Sequence, residues 1–132
     1  MSFLAGPLSS HEVIVVTGRR QAMMHRHDSI VDSLTERLRH KEWCDNLQDH
    51  VEYYTTDRRG RRHVQGEVDV LAQHGDIWLF YEVKVNDSET NFRTARKQYK
   101  RFCRTHPDLR VRGIYVTATG IRLMRAYHPE TG

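Results

Sequence analysis

Apolar and polar positions alternate along this chain with two periods, and the switches between them mark out its elements. "HEVIVVT" at 11–17 is a run of β-branched residues closed by Gly18 and predicts a strand. From about Arg20 to His40 the positions Met23, His27, Ile30, Val31, Leu34 and Leu38 recur at intervals of three and four, one stripe of an amphipathic helix. Its start is open, at Gln21 or at a cap on Asp28 or Ser29. Val51–Thr56 is rich in Tyr and Thr and predicts a strand, and "DRRGRR" makes a charged turn centred on Gly60.

The next strand, 63–72, alternates with Val64, Val68 and Val70 on one face and Glu67, Asp69 and Leu71 on the other. After a tight "QHGD" turn, strand 77–85 is apolar on both faces, as expected at the centre of a sheet, until Glu82 and Lys84 replace the apolar residues of one face. Asp87 or Ser88 then caps a helix running to about Thr105 and stopped by Pro107, with Phe92, Ala95, Tyr99, Phe102 and Cys103 as its buried stripe. "VRGIYVT" at 111–117 is a further strand and "IRLMRAY" after Gly120 a last one. Strands and helices in this order predict an α/β fold, a mixed sheet flanked by helices.

At 132 residues there is room for one domain, and the whole of 1–132 reads as one, with a core over about 20–117. The chain is 38% hydrophobic and 29% charged with three prolines, which argues against disorder. No apolar run approaches the ~20 residues that span a bilayer and no leader-like pattern opens the chain, so a cytoplasmic protein is expected. Cys44 and Cys103 belong to no CxxC pair and read as reduced core thiols. The nine histidines form no paired zinc spacing, and "VTGRRQ" lacks the glycines of a phosphate loop.

Charge sharpens the picture. Lys and Arg total 21 against 17 acidic residues, a net +4. The basic residues cluster in Arg58, Arg59, Arg61 and Arg62 and again in Arg93, Arg96, Lys97, Lys100, Arg101 and Arg104, a distribution that points to a polyanion such as DNA. The arginine turn is either a solvated hairpin tip or a DNA contact, and four arginines in five positions favour contact.

Candidate chemistry lies in a carboxylate on one strand, a tight turn, and Glu-x-Lys on the next. Residues two apart on a strand share a face, so Glu82 and Lys84 point the same way, and pairing across the turn brings Asp69 beside them. Two adjacent carboxylates resist ionisation unless a cation lies between them, and oxygen ligands of this kind suit Mg²⁺. Lys84 is placed to orient an attacking water or to stabilise a pentavalent phosphate. The pattern by itself is common by chance, and a solvated strand end is the bland alternative. The loss of an apolar face on a central strand favours chemistry, because neither Glu82 nor Lys84 gains from burial there.

"GEVDVLAQHGDIWLFYEVKV", residues 66–85, resembles the core of the PD-(D/E)XK nucleases, especially archaeal Holliday junction resolvases and small RecB-like domains. The resemblance implies a restriction-endonuclease-like αβββαβ core, an order the hydrophobic pattern gives independently over 27–117. It covers about two thirds of the chain. It implies Asp69 and Glu82 as ligands of Mg²⁺, or of Mn²⁺ in its place, and Lys84 as the catalytic lysine. Gln98, with Phe102 four residues on, is similar to the Gln-xxx-Tyr element of RecB-like members. Val68 stands where the motif has proline, and His27 stands where many members place a glutamate on the first helix. His27 either joins the site or is a packed core histidine; Asp32 and Glu36 face away by helical spacing, and Glu67 shares the strand face of Asp69. The expected activity is metal-dependent cleavage of DNA, structure-selective and resolvase-like, by a homodimer, since cutting two strands needs two sites. A repair or restriction-type nuclease, or a DNA-binding module that keeps the fold, are the alternatives.

Overall fold

The computed structural model describes residues 4–5 and 18–129, so the predicted strand at 11–17 lies outside the described residues. The elements are β1 (Leu4–Ala5), α1 (Gly18–Arg39), β2 (Asn46–Thr56), β3 (Arg62–His74), β4 (Ile77–Val83), α2 (Glu89–Thr105), β5 (Arg110–Thr117) and β6 (Gly120–Leu123). They build one six-stranded sheet in the order β1-β2-β3-β4-β5-β6. All neighbours are antiparallel except β4 and β5, which run parallel because α2 carries the chain back between them. From α1 to β5 this is the expected αβββαβ order, a mixed sheet flanked by helices.

Each helix covers one face. On the α1 side Val31, Leu34 and Leu38 pack with Val70, Ala72, Tyr81, Val83 and Val116. On the α2 side Ala95, Tyr99, Phe102 and Cys103 pack with Val51, Val68, Leu71, Phe80, Tyr115 and Met124. Trp78 and Phe80 thus face α2 while Leu79, Tyr81 and Val83 face α1, as a central strand requires. Met23, expected in the α1 stripe, is instead 42% exposed, because the sheet supports the second half of the helix, Val31–Leu38. Ser88 is the N-cap of α2, its side chain accepting the Asn91 N–H, and Glu89 in the first turn suits the helix dipole.

Three further expectations need correction. Val64, Val68 and Val70 do not share a buried face: Val64 is 63% exposed, Val68 joins the α2 side with Leu71, and Val70 joins the α1 side with Ala72. The alternation slips at Asp69, and β2 slips with it, since Leu47 packs toward α1 and Val51 toward α2. The cause is His50, which lies between the pairs Asp49–Val70 and Val51–Val68 and has φ 49, a left-handed conformation that breaks the pleat. Second, β4 ends at Val83 rather than at 85, although the Lys84 N–H still reaches Val116 O at 2.9 Å. Third, the last strand stops at Leu123. Met124 turns into the α2-side core, and the chain then crosses to α2, where the Tyr127 N–H donates to the Tyr99 hydroxyl.

Candidate active site

The ladder between β3 and β4 runs from His74–Ile77 to Val70–Tyr81 and stops there. One residue further, Asp69 and Glu82 would have been the next pair. The strands part instead, and the Asp69 side chain takes the place of a backbone partner: its Oδ2 accepts the Val83 N–H at 2.8 Å. Both carboxylates are buried, Asp69 at 7% and Glu82 at 4% relative exposure, values that solvated strand ends do not have. Lys84 extends from the end of β4, with Nζ 3.8 Å from Glu82 Oε1. Glu82 Oε2 is buried without a hydrogen-bond partner.

His27 enters from α1, one turn before Val31, and sets Nε2 3.4 Å from Asp69 Oδ2 and Nδ1 3.6 Å from Asp28 Oδ1. The histidine therefore touches a site carboxylate rather than packing as an ordinary core residue. Hydrogen bonding to Asp69 raises its pKa above the usual histidine value, against the opposing effect of burial. Burial pushes the Asp69 carboxyl up, but the bonds from His27 and the Val83 N–H outweigh it, and Asp69 titrates below its ordinary value. Glu82 goes the other way: burial, then the Asp69 charge beside it, lift it to about 9 despite Lys84. The two carboxyls are thus driven apart, one charged and one holding a proton at neutral pH, a splitting found where carboxylates share a site.

Of the remaining candidates, Gln98 lies on α2 with its Oε1 buried and unpartnered. Glu67 sits at the rim, 3.2 Å from His50 Nδ1, and its charge contributes to lifting Glu82. Asp32 and Glu36 face solvent, Glu36 pairing with Arg39 and His40. Arg58, Arg59, Arg61 and Arg62 occupy the β2–β3 turn, all exposed, with the Arg62 guanidinium 4.5 Å over the Tyr54 ring. On α2, Arg93 and Lys97 are exposed, whereas Arg96 donates to Arg125 O and Lys100 lies over the Tyr127 ring. Arg101 donates to Gln65 O at 3.0 Å, which ties α2 to β3. Sequence reasoning missed the Val83 N–H as a partner for Asp69, since backbone groups carry no residue signal.

Among the described residues no three His, Cys, Asp or Glu side chains converge as a metal-binding group. The donors that do meet are two carboxylates, one with a buried oxygen lacking a partner. That set fits Mg²⁺, which takes one or two protein carboxylates and fills its other positions with water and substrate oxygens. It does not fit a structural zinc, which wants four closed N or S ligands. Among the described residues no helix is long and apolar enough to cross a membrane.

No family model matches the chain, and no curated protein matches it in sequence. Among solved structures, the chain is similar to the crystal structure of SSO0001, with a TM-score of 0.53 at 12% identity over 86% of this chain and 54% of that one. It thus spans about half the length of SSO0001. A looser similarity, TM-score 0.42 at 10% identity over 74% of this chain and 59% of the other, is to the small subunit (R.BspD6I2) of the heterodimeric restriction endonuclease R.BspD6I.

Proposed function

We propose that this chain is a divalent-metal-dependent nuclease that hydrolyses phosphodiester bonds in DNA. One observation carries the reading: Asp69 and Glu82, both buried, meet with Lys84 where β3 and β4 part, and Glu82 Oε2 has no hydrogen-bond partner there. The Val83 N–H gives Asp69 a structural partner, but a fold has no stabilising use for a second carboxyl buried beside it with an unpartnered oxygen, and the arrangement agrees with the roles that the resemblance to PD-(D/E)XK nucleases implies.

Asp69 and Glu82 would hold Mg²⁺ or Mn²⁺, which would supply positive charge to the scissile phosphate and acidify a nearby water. Lys84, whose Nζ lies 3.8 Å from Glu82 Oε1, would donate to that water or to a phosphate oxygen as negative charge accumulates. The Val83 N–H and His27 hold Asp69 Oδ2 in a single orientation, so the carboxylate needs no reorganisation when substrate arrives. The basic residues of α2 and the arginine turn hold the DNA through its phosphates. Branched DNA is the preferred substrate on this reading, and a homodimer supplies the second site that paired cuts need.

The contact between His27 and Asp69 favours a second reading, a DNA-binding module that keeps the fold, because a histidine already lies 3.4 Å from the carboxylate oxygen a metal would need. The two are separated by incubating the protein with linear duplex, single-stranded, flapped and four-way-junction DNA under Mg²⁺, Mn²⁺ or EDTA. Metal-dependent cleavage with a preference for the junction is expected. Binding without cleavage under either metal would leave the binding module, and equal cleavage of every form would remove the preference for branched DNA.

A further inference from the structure

Beyond Tyr53 and Gly66 the β2–β3 hairpin leaves the body of the protein. Tyr53 is buried against Phe102 and His106, whereas Thr55, Thr56, residues 57–63 and Val64 are all exposed. What projects is a two-stranded arm, held by the pairs Tyr54–Val64, Thr55–His63 and Thr56–Arg62. A register shift between Tyr53 and Tyr54 leaves Gln65 as an extra residue at its root. Bulges of this kind bend a ribbon and re-aim it. Here the bulge is braced, with Gln65 O accepting from Arg101 and Gln65 Nε2 donating to Thr55 Oγ1 and His63 O.

The tip is also built. Asp57 Oδ1 accepts the N–H groups of Arg59 and Arg61, each at 2.9 Å, and Oδ2 lies 2.9 Å from His63 Nε2. The bond to His63, then that from Arg61, hold the Asp57 carboxyl below its ordinary pKa. Gly60 closes the turn with φ 78, which an L side chain would strain. A merely solvated loop has no need of a carboxylate spanning it three ways. The result is a shaped ribbon bearing four guanidiniums, one stacked on Tyr54, with the 63% exposed Val64 opposite that tyrosine.

We infer that this arm, residues 54–64, enters the major groove of double-helical DNA and selects B-form duplex beside the cleavage site. The B-DNA major groove, roughly 12 Å wide, admits a two-stranded ribbon, offers guanine acceptors to arginine and thymine methyls to an apolar side chain, and is flanked by phosphates. A-form RNA carries the same charge but closes that groove to side chains. Val64 stands five residues before Asp69 on β3, so at ~3.3 Å per residue the arm starts no more than about 17 Å from the site, within roughly half a helical turn of the phosphate to be cut. The inference rests on the nuclease reading only for that last placement.

The test measures binding in EDTA by fluorescence anisotropy, using duplex DNA, duplex RNA and single-stranded DNA of one sequence. In the variant Arg58→Ala/Arg59→Ala/Arg61→Ala, affinity for duplex DNA should fall at least ~tenfold more than affinity for duplex RNA or single strands. Asp57→Ala, which removes a negative charge but also all three bonds that brace the tip, should weaken duplex DNA binding by about threefold or more. Equal losses on all three nucleic acids, no loss at all, or tighter binding by Asp57→Ala would each show that the tip is only a charged patch. Because no metal is present, a wild type that never cleaves would defeat the nuclease reading while leaving this comparison intact.

Discussion

The Asp69 carboxylate accepts the backbone N–H of Val83, a residue fourteen positions later on the neighbouring strand, at 2.8 Å. A side chain thereby closes the gap left where the β3–β4 ladder ends, and the same side chain is the one offered to a metal. Structure and chemistry are joined at this atom. Asp69→Asn can keep the bond through its amide oxygen while losing the charge. In steady-state cleavage assays Asp69→Asn, Glu82→Gln and Lys84→Ala should each lose roughly a hundredfold or more in rate, since the groups removed act mainly in the transition state. Thermal melts should show all three folded; three unfolded variants would assign these residues a structural role instead.

Glu82 makes metal-free stability depend on pH. Its folded-state pKa of about 9 lies above the ordinary value of 4.5, so the folded chain binds a proton that the unfolded chain releases. That contribution is fully present below about 4.5 and is lost as pH rises through about 9. Melting in EDTA should therefore show a decline across this window that Glu82→Gln removes. A wild-type profile that parallels the variant's would place Glu82 in water rather than in the protein.

His27 offers a gain-of-function route. With two carboxylates converging and, among the described residues, no third side chain completing a metal-binding group, His27→Glu at the same position would add an oxygen donor and remove the imidazole that lies against Asp69. Isothermal titration should then show Mg²⁺ binding tightened by about tenfold. Unchanged affinity would mean that residue 27 does not reach the metal.

Arg93 and Lys97 are exposed, while Arg96 and Arg101 are already committed to carbonyls of the chain. Neutralising Arg93 and Lys97 should weaken binding to all DNA sequences alike and lower the salt slope by about one unit for each phosphate left without its cation. An unaltered slope would make them ordinary surface charges.

How much of this was legible beforehand depends on what each feature signals. The αβββαβ order follows from patterns that burial imposes, such as the Ala95–Tyr99–Phe102 stripe and the apolar run from Ile77 to Val83, and the structure has it. The convergence of Asp69, Glu82 and Lys84 was readable because strand period and turn length fix which residues meet. The slip at Asp69 was not, for it depends on the left-handed His50, and histidine does not announce that conformation. The arm's built tip was half legible: an aspartate ahead of Arg-Arg-Gly is a known turn-former, but its third bond comes from His63, beyond the turn. The projection of the arm depends on where α2 stops covering the sheet, which no local pattern encodes.

Gly113 lies opposite Phe80 on β5, directly beneath the Tyr99 ring, where an added methyl carbon would come within 2.8 Å of ring atoms. Gly113→Ala should cost about 1–3 kcal/mol in denaturant melts, as overpacking of a filled core does. A change near zero would mean that Tyr99 can step aside.

That same tyrosine has a wider consequence. Its hydroxyl donates to Val111 O on β5 and accepts the Tyr127 N–H from the chain beyond β6, so one side chain fastens a helix, a strand and the terminal segment together. Those three pieces can separate only as a unit. Their amides should exchange with solvent at one common free energy, close to that of global unfolding, while the projecting hairpin exchanges far more readily.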